Sequence, residues 1–75
     1  METKEIKVGD RLFKVRELYA RELDTIDWND KANALKKQVQ LSTELTDDEY
    51  DKLTVKERMA LIKTMNELNG VADFQ

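Results

Sequence analysis

The chain has 75 residues, 40% of them apolar, with 13 Lys and Arg against 16 Asp and Glu for a formal charge of −3. It contains neither Cys nor His, which excludes disulfides and thiolate metal sites and removes the commonest general base. So short a chain fills a single core, and no apolar run approaches the roughly 18 residues of a membrane span.

The N-terminal "METKEIKVGD" lacks a signal peptide's apolar stretch, so a cytoplasmic protein is expected. Charge is unevenly placed. Residues 1–40 carry nine basic against eight acidic side chains, and residues 41–75 carry four against eight. That balance gives no electrostatic footprint for nucleic acid. The predicted fold class is α+β, a two-stranded hairpin followed by three to four helices in one domain over residues 1–75.

Proline is absent, and Gly9 and Gly70 are the two glycines, so breaks between elements must come from caps and lapses of apolar phase. "EIKVGDRLFKV" predicts a hairpin over about 4–15 around a Gly9-Asp10 loop, with glycine first as a type II′ turn requires. This register pairs Val8 with Arg11, Ile6 with Phe13 and Glu5 with Lys14. Ile6, Val8, Phe13 and Val15 then share one face.

Leu18, Tyr19, Leu23 and Ile26 recur at helical spacing and predict a helix over about 16–26. The phase lapses at Asp30 and Asn33. A second stripe of Trp28, Ala32, Leu35 and Val39 predicts a helix over about 28–42 with a corner near Asp27; one long bent helix is the alternative. Trp28 takes a core position in this stripe, the other reading being an exposed recognition anchor. Ala34 and Leu41 lie on the opposite side, either as a partner-facing patch or turned inward beyond the helix end.

"LTDDEYDKLTVKE" carries Thr-x-x-Glu twice. Thr46 with Glu49 and Thr54 with Glu57 are two capping boxes, Asp47 and Asp48 fall in a first turn, and Leu45 and Tyr50 have staple spacing. The doubled signal predicts helices over about 47–53 and 55–69 and lets the chain turn without proline. Gly70 stands at the C′ position of the last helix. There Val55, Met59, Leu61, Ile62, Met65 and Leu68 spread over about half the circumference, more than one amphipathic face requires. The helix is expected at the centre of the core, with the strip Leu61, Met65 and Leu68 as candidate partner-binding residues.

No constellation of active-site type is present, and no cofactor or metal is expected. "DWNDKANAL" fails as a calcium loop, because Lys31 occupies the third ligand position, Ala32 replaces the turn glycine and Gln38 replaces the bidentate Glu. Phosphate-loop and nucleophile-elbow patterns are absent.

Phe13, Val15, Arg16, Glu17 and Leu18, followed by Leu53, Thr54, Glu57, Leu61, Leu68 and Asn69, carry a resemblance over roughly two fifths of the chain. In these positions the sequence resembles the small tail assembly chaperones of tailed phages and proviruses. The resemblance implies a non-catalytic protein that binds a long, largely helical tape-measure protein in the host cytoplasm before tail assembly. A competing class is a small acidic regulator or inhibitor that blocks a host or phage protein, motivated by five acids in "ELTDDEYD". A homo-oligomeric structural subunit is a third.

Overall fold

A computed structural model describes residues 2–70. Strands β1 (Thr3–Val8) and β2 (Arg11–Arg16) are followed by helices α1 (Ala20–Leu23), α2 (Lys31–Thr43), α3 (Asp47–Asp51) and α4 (Val55–Leu68). The fold class is α+β. The strands pair antiparallel in the expected register, with Ile6 opposite Phe13 and Val8 opposite Arg11. Gly9 has φ +61°, and Asp10 stays outside the left-handed region. A positive φ at the first loop residue alone is the mark of a type II′ turn, which matches the right-handed twist of the strands. The Glu17 N–H donates to the Glu2 carbonyl at 3.0 Å, carrying the ladder one step beyond the strands.

The core forms where β2, α2 and α4 meet. Phe13 and Val15, Val39, and Leu61 and Met65 make its buried cluster, and Ile6, Val8, Leu35, Leu45, Tyr50, Leu53, Ile62 and Leu68 pack around it. Each fully buried side chain of this size contributes about 1.5–3 kcal/mol by leaving water. Ala34 is buried and Leu41 half-buried, so the side of α2 left open as a partner-facing patch is turned partly inward.

Both capping boxes form. Thr46 Oγ1 accepts from the Glu49 N–H at 3.2 Å, and Glu49 accepts from the Thr46 N–H at 2.9 Å. Thr54 and Glu57 repeat the exchange at 3.1 and 2.9 Å. Gly70 follows α4 with φ +72°, the left-handed C′ residue that the sequence predicts. The end of α2 is different. Its C-cap is Glu44, a non-glycine at φ +61°, whose N–H donates to the Gln40 carbonyl at 2.6 Å. A side chain in that conformation costs about 1–2 kcal/mol.

Two helices depart from expectation. The helix predicted over 16–26 is reduced to the four residues of α1, because its beginning is committed elsewhere. Arg16 still belongs to β2, and the Leu18 N–H donates to Asn69 Oδ1 at 2.7 Å. The helix predicted over 28–42 starts three residues later. Asp30 is its N-cap, accepting from the Asn33 backbone N–H at 3.3 Å and the Asn33 side-chain amide at 2.7 Å. Trp28 therefore lies in a turn before the helix, where helical phase has no meaning. It is 52% exposed, and its indole N–H donates to the Leu23 carbonyl at 3.2 Å. The core position assigned to it is wrong.

Candidate functional site

Helix α4 (Val55–Leu68) carries the candidate partner-binding residues. Its residues fall at about 100° intervals around the axis. Glu57, Leu61, Met65 and Leu68 cluster on one side, Val55, Met59 and Ile62 on another, and the two strips are centred roughly 130° apart. The first strip faces the hairpin and α2. Leu61 is 1% and Met65 2% exposed, with Leu68 packed against the same cluster. The predicted partner-binding residues Leu61, Met65 and Leu68 are thus brought together as core, closed to any partner while the fold is intact.

The second strip faces solvent. Val55 is 66% and Met59 64% exposed, while Ile62, one turn on, is half-buried. Residues four apart on a helix are neighbours, so Val55 and Met59 form one continuous surface. At its N-terminal end Tyr50, Leu53, Val55 and Arg58 line an open depression of about 220 Å³. Isolated apolar side chains on a surface need no explanation. Two side by side on one face, next to a depression of mixed polarity that also holds Asp51 and Thr54, make a small patch.

Three cations stand beside this strip. Lys56 and Lys63 border it on one side and Arg58 on the other, as their spacing along the helix dictates. None of the three forms an ion pair among the described residues. The acids of α4 are engaged. Glu57 is buried, caps the helix through the Thr54 N–H and receives Arg11 Nη1 at 3.2 Å. The Thr54 N–H, and secondarily Arg11, hold its carboxyl below the usual range. Glu67 lies 3.8 Å from Lys4.

The acidic run at 44–51 is largely used within the chain. Lys36 Nζ lies 3.6 Å from both Asp47 and Asp51, and the Gln40 amide donates to Asp47 at 2.8 Å. These contacts, the Gln40 amide foremost, depress the Asp47 carboxyl. Glu49 is held down by the Thr46 N–H in its capping box. Beside them an open groove of about 400 Å³ runs between Ile26, Ala34, Lys37 and Asp47. Its walls are mixed in polarity, and the charge of Lys36 is already answered by two carboxylates.

The bidentate pair of Arg16 and Glu22, at 2.9 and 2.6 Å, closes the far end of β2 onto α1. Hydrogen bonds from Arg16 and then from the Tyr19 N–H lower Glu22 from 4.5 to about 2. Arg16 is raised in turn by the same partner. This is a structural tie. Among the described residues every buried side-chain nitrogen and oxygen has a hydrogen-bond partner, and no group of three or more acids is placed to hold a metal. No helix among them is long and apolar enough to cross a membrane.

Sequence reasoning placed Val55 and Met59 in the broad apolar arc of α4 but gave the partner to the opposite strip. Val55 and Met59 are no less apolar than Leu61 and Met65, so hydropathy does not separate the two faces. The flanking cations do, since Lys56 and Lys63 can only border a face that meets water. No known protein family, curated protein or solved structure matches this chain.

Proposed function

We propose that this chain is a non-catalytic protein-binding protein that holds an apolar helical segment of another protein against the Val55–Met59–Ile62 strip of α4. The observation that carries this reading is the strip itself, an apolar surface on a helix whose core-facing side is already filled. A helix laid in such a groove or along such a face is a common mode of peptide recognition. The flexible thioether of Met59 suits a surface that accommodates more than one sequence.

The leading partner is a tape-measure protein in the host cytoplasm, as the resemblance to tail assembly chaperones implies. The positions that carry the resemblance lie along the join between β2 and α4. Phe13, Val15 and Leu61 are core, Thr54 and Glu57 cap α4, and Asn69 receives the Leu18 N–H. Those residues support a shared framework and leave the outward strip free to follow the partner. The alternative of an acidic regulator draws less support, because Asp47, Glu49 and Asp51 are engaged within the chain.

Co-expression with the tape-measure protein of the same phage or provirus tests the reading. The wild-type chain should co-purify with it. Val55→Glu and Met59→Glu should each abolish retention with an unchanged circular dichroism spectrum. Failure of the wild-type pair to co-purify, or retention by both variants, overturns the proposal.

A further inference from the structure

The rim of the α4 strip specifies the occupant's charge. We infer that the strip takes an amphipathic helix whose apolar face is bordered by Asp and Glu, and that Lys56, Arg58 and Lys63 read those acids. The inference rests on the protein-binding reading above and narrows its partner.

Three observations converge on it. Val55 and Met59 are exposed at a spacing that matches one face of a second helix. The three cations flank that face on both sides, and none has an ion-pair partner among the described residues. The chain as a whole carries −3, and the acids of α4 are withdrawn to Arg11 and Lys4. An acidic protein thus presents a locally basic border around an apolar strip. Complementary charge of this kind selects partners and speeds their encounter more than it adds affinity.

The same border argues against a second copy of this chain. Antiparallel two-fold pairing of α4 sets the Lys56 and Lys63 flank against its own copy. Parallel two-fold pairing sets it against Arg58. In both arrangements cation faces cation across an apolar seam, which disfavours association. A lipid surface is the other candidate for a basic apolar face. From Val55 to Ile62 the strip runs only about 10 Å, two turns of helix, and it carries no aromatic anchor of the kind interfacial helices use. Two turns do fit a short contact with one helix. The depression at the strip's N-terminal end has Asp51 and Thr54 in its wall beside Tyr50, Leu53, Val55 and Arg58, so the occupant's acids are read along the flanks of α4 and not inside that depression.

The probes are two synthetic helical peptides of about four turns, with Leu at i, i+4 and i+7 and either Glu or Lys on both flanks. Fluorescence anisotropy measures binding to the full chain, and amide shift mapping locates it. The Glu-flanked peptide should bind about tenfold or more tightly than the Lys-flanked one, as several exposed charge pairs together allow. The preference should shrink at high salt and reverse in the Lys56→Glu, Lys63→Glu double variant, whose exposed positions leave the fold intact by circular dichroism. Shifts should centre on Val55, Met59 and Ile62.

Equal affinity for both peptides overturns the acidic assignment and leaves apolar docking standing. Binding of neither peptide overturns the acidic helix, and the tape-measure co-purification then decides separately whether the protein-binding reading survives. Shifts centred elsewhere overturn the location. A concentration-dependent dimer abolished by Met59→Glu overturns the inference in favour of a second copy. Adsorption to phosphatidylglycerol-containing vesicles, lost in the double lysine variant, overturns it in favour of a membrane surface.

Discussion

The join between the hairpin and α4 is held differently from the segment spanning residues 17–30. Across the join, polar ties connect residues distant in sequence. Arg11 reaches Glu57 over 46 positions, and Lys4 at the other end of the hairpin lies 3.8 Å from Glu67. Within 17–30 most side-chain bonds are local. Glu22 accepts from Tyr19 three positions away, the Trp28 indole donates to Leu23 five away, and the Asn29 N–H donates to Asp27 two away. Distant ties at the rim of a buried cluster are lost together when the chain opens. Local ones open singly at low cost, so stability should differ sharply between the two regions.

That contrast is open to direct attack, most severely at Leu61. Leu61→Ala should destabilise the fold by about 2–5 kcal/mol, the range for emptying a buried leucine site. Urea melts measure it, and a loss below 1 kcal/mol would mean the join is not the core. Thr54→Ala should cost about 0.5–2 kcal/mol, as for other lost N-caps. It removes the acceptor of the Glu57 N–H, so amide exchange should quicken in the first turn of α4 and near Arg11 together.

Trp28→Ala should cost less than about 1 kcal/mol, because a half-exposed turn residue leaves no cavity. The native indole should accordingly emit near the wavelength of the denatured chain. A large loss of stability there would erase the distinction between the two regions.

Acid provides the finest comparison. Glu22 is lowered from 4.5 to about 2 by Arg16 and the Tyr19 N–H. Its folded state therefore binds fewer protons than its unfolded state between those values. The stabilisation is complete above about pH 4.5 and disappears as pH falls towards 2. Glu22→Gln should flatten the stability–pH curve across that window. A curve superimposing on the wild type would show that the Arg16 pair contributes nothing.

The hairpin was legible because its information is local. Gly9 sets the turn, the turn sets the register, and alternation then puts Phe13 and Val15 on one face. The two capping boxes and the Gly70 stop were legible for the same reason. What failed on α1 and α4 were judgements that depend on distant residues. Nothing near Leu18 announces that Asn69 will take its N–H and keep α1 short. The Trp28 stripe failed because helical phase was extended back past Asp30, although Asp30 with Asn33 is itself a local start signal. On α4 the periodicity identified an arc too broad for one face, and only the hairpin's position determines which part of it closes.

Because α4 packs on both strands and α2 also packs on β2, the hairpin cannot complete the burial of its apolar face until a segment about forty residues downstream has been synthesised. Translation at about 5–20 residues per second makes that interval a matter of seconds, whereas a hairpin itself forms in about 1–10 μs. Ile6, Val8, Phe13 and Val15 are therefore presented to the cell on the nascent chain long before their own covering exists. Lys4, Lys7, Arg11 and Lys14, spread along the same strands, give that exposed intermediate a charged edge that resists pairing with its neighbours on a polysome.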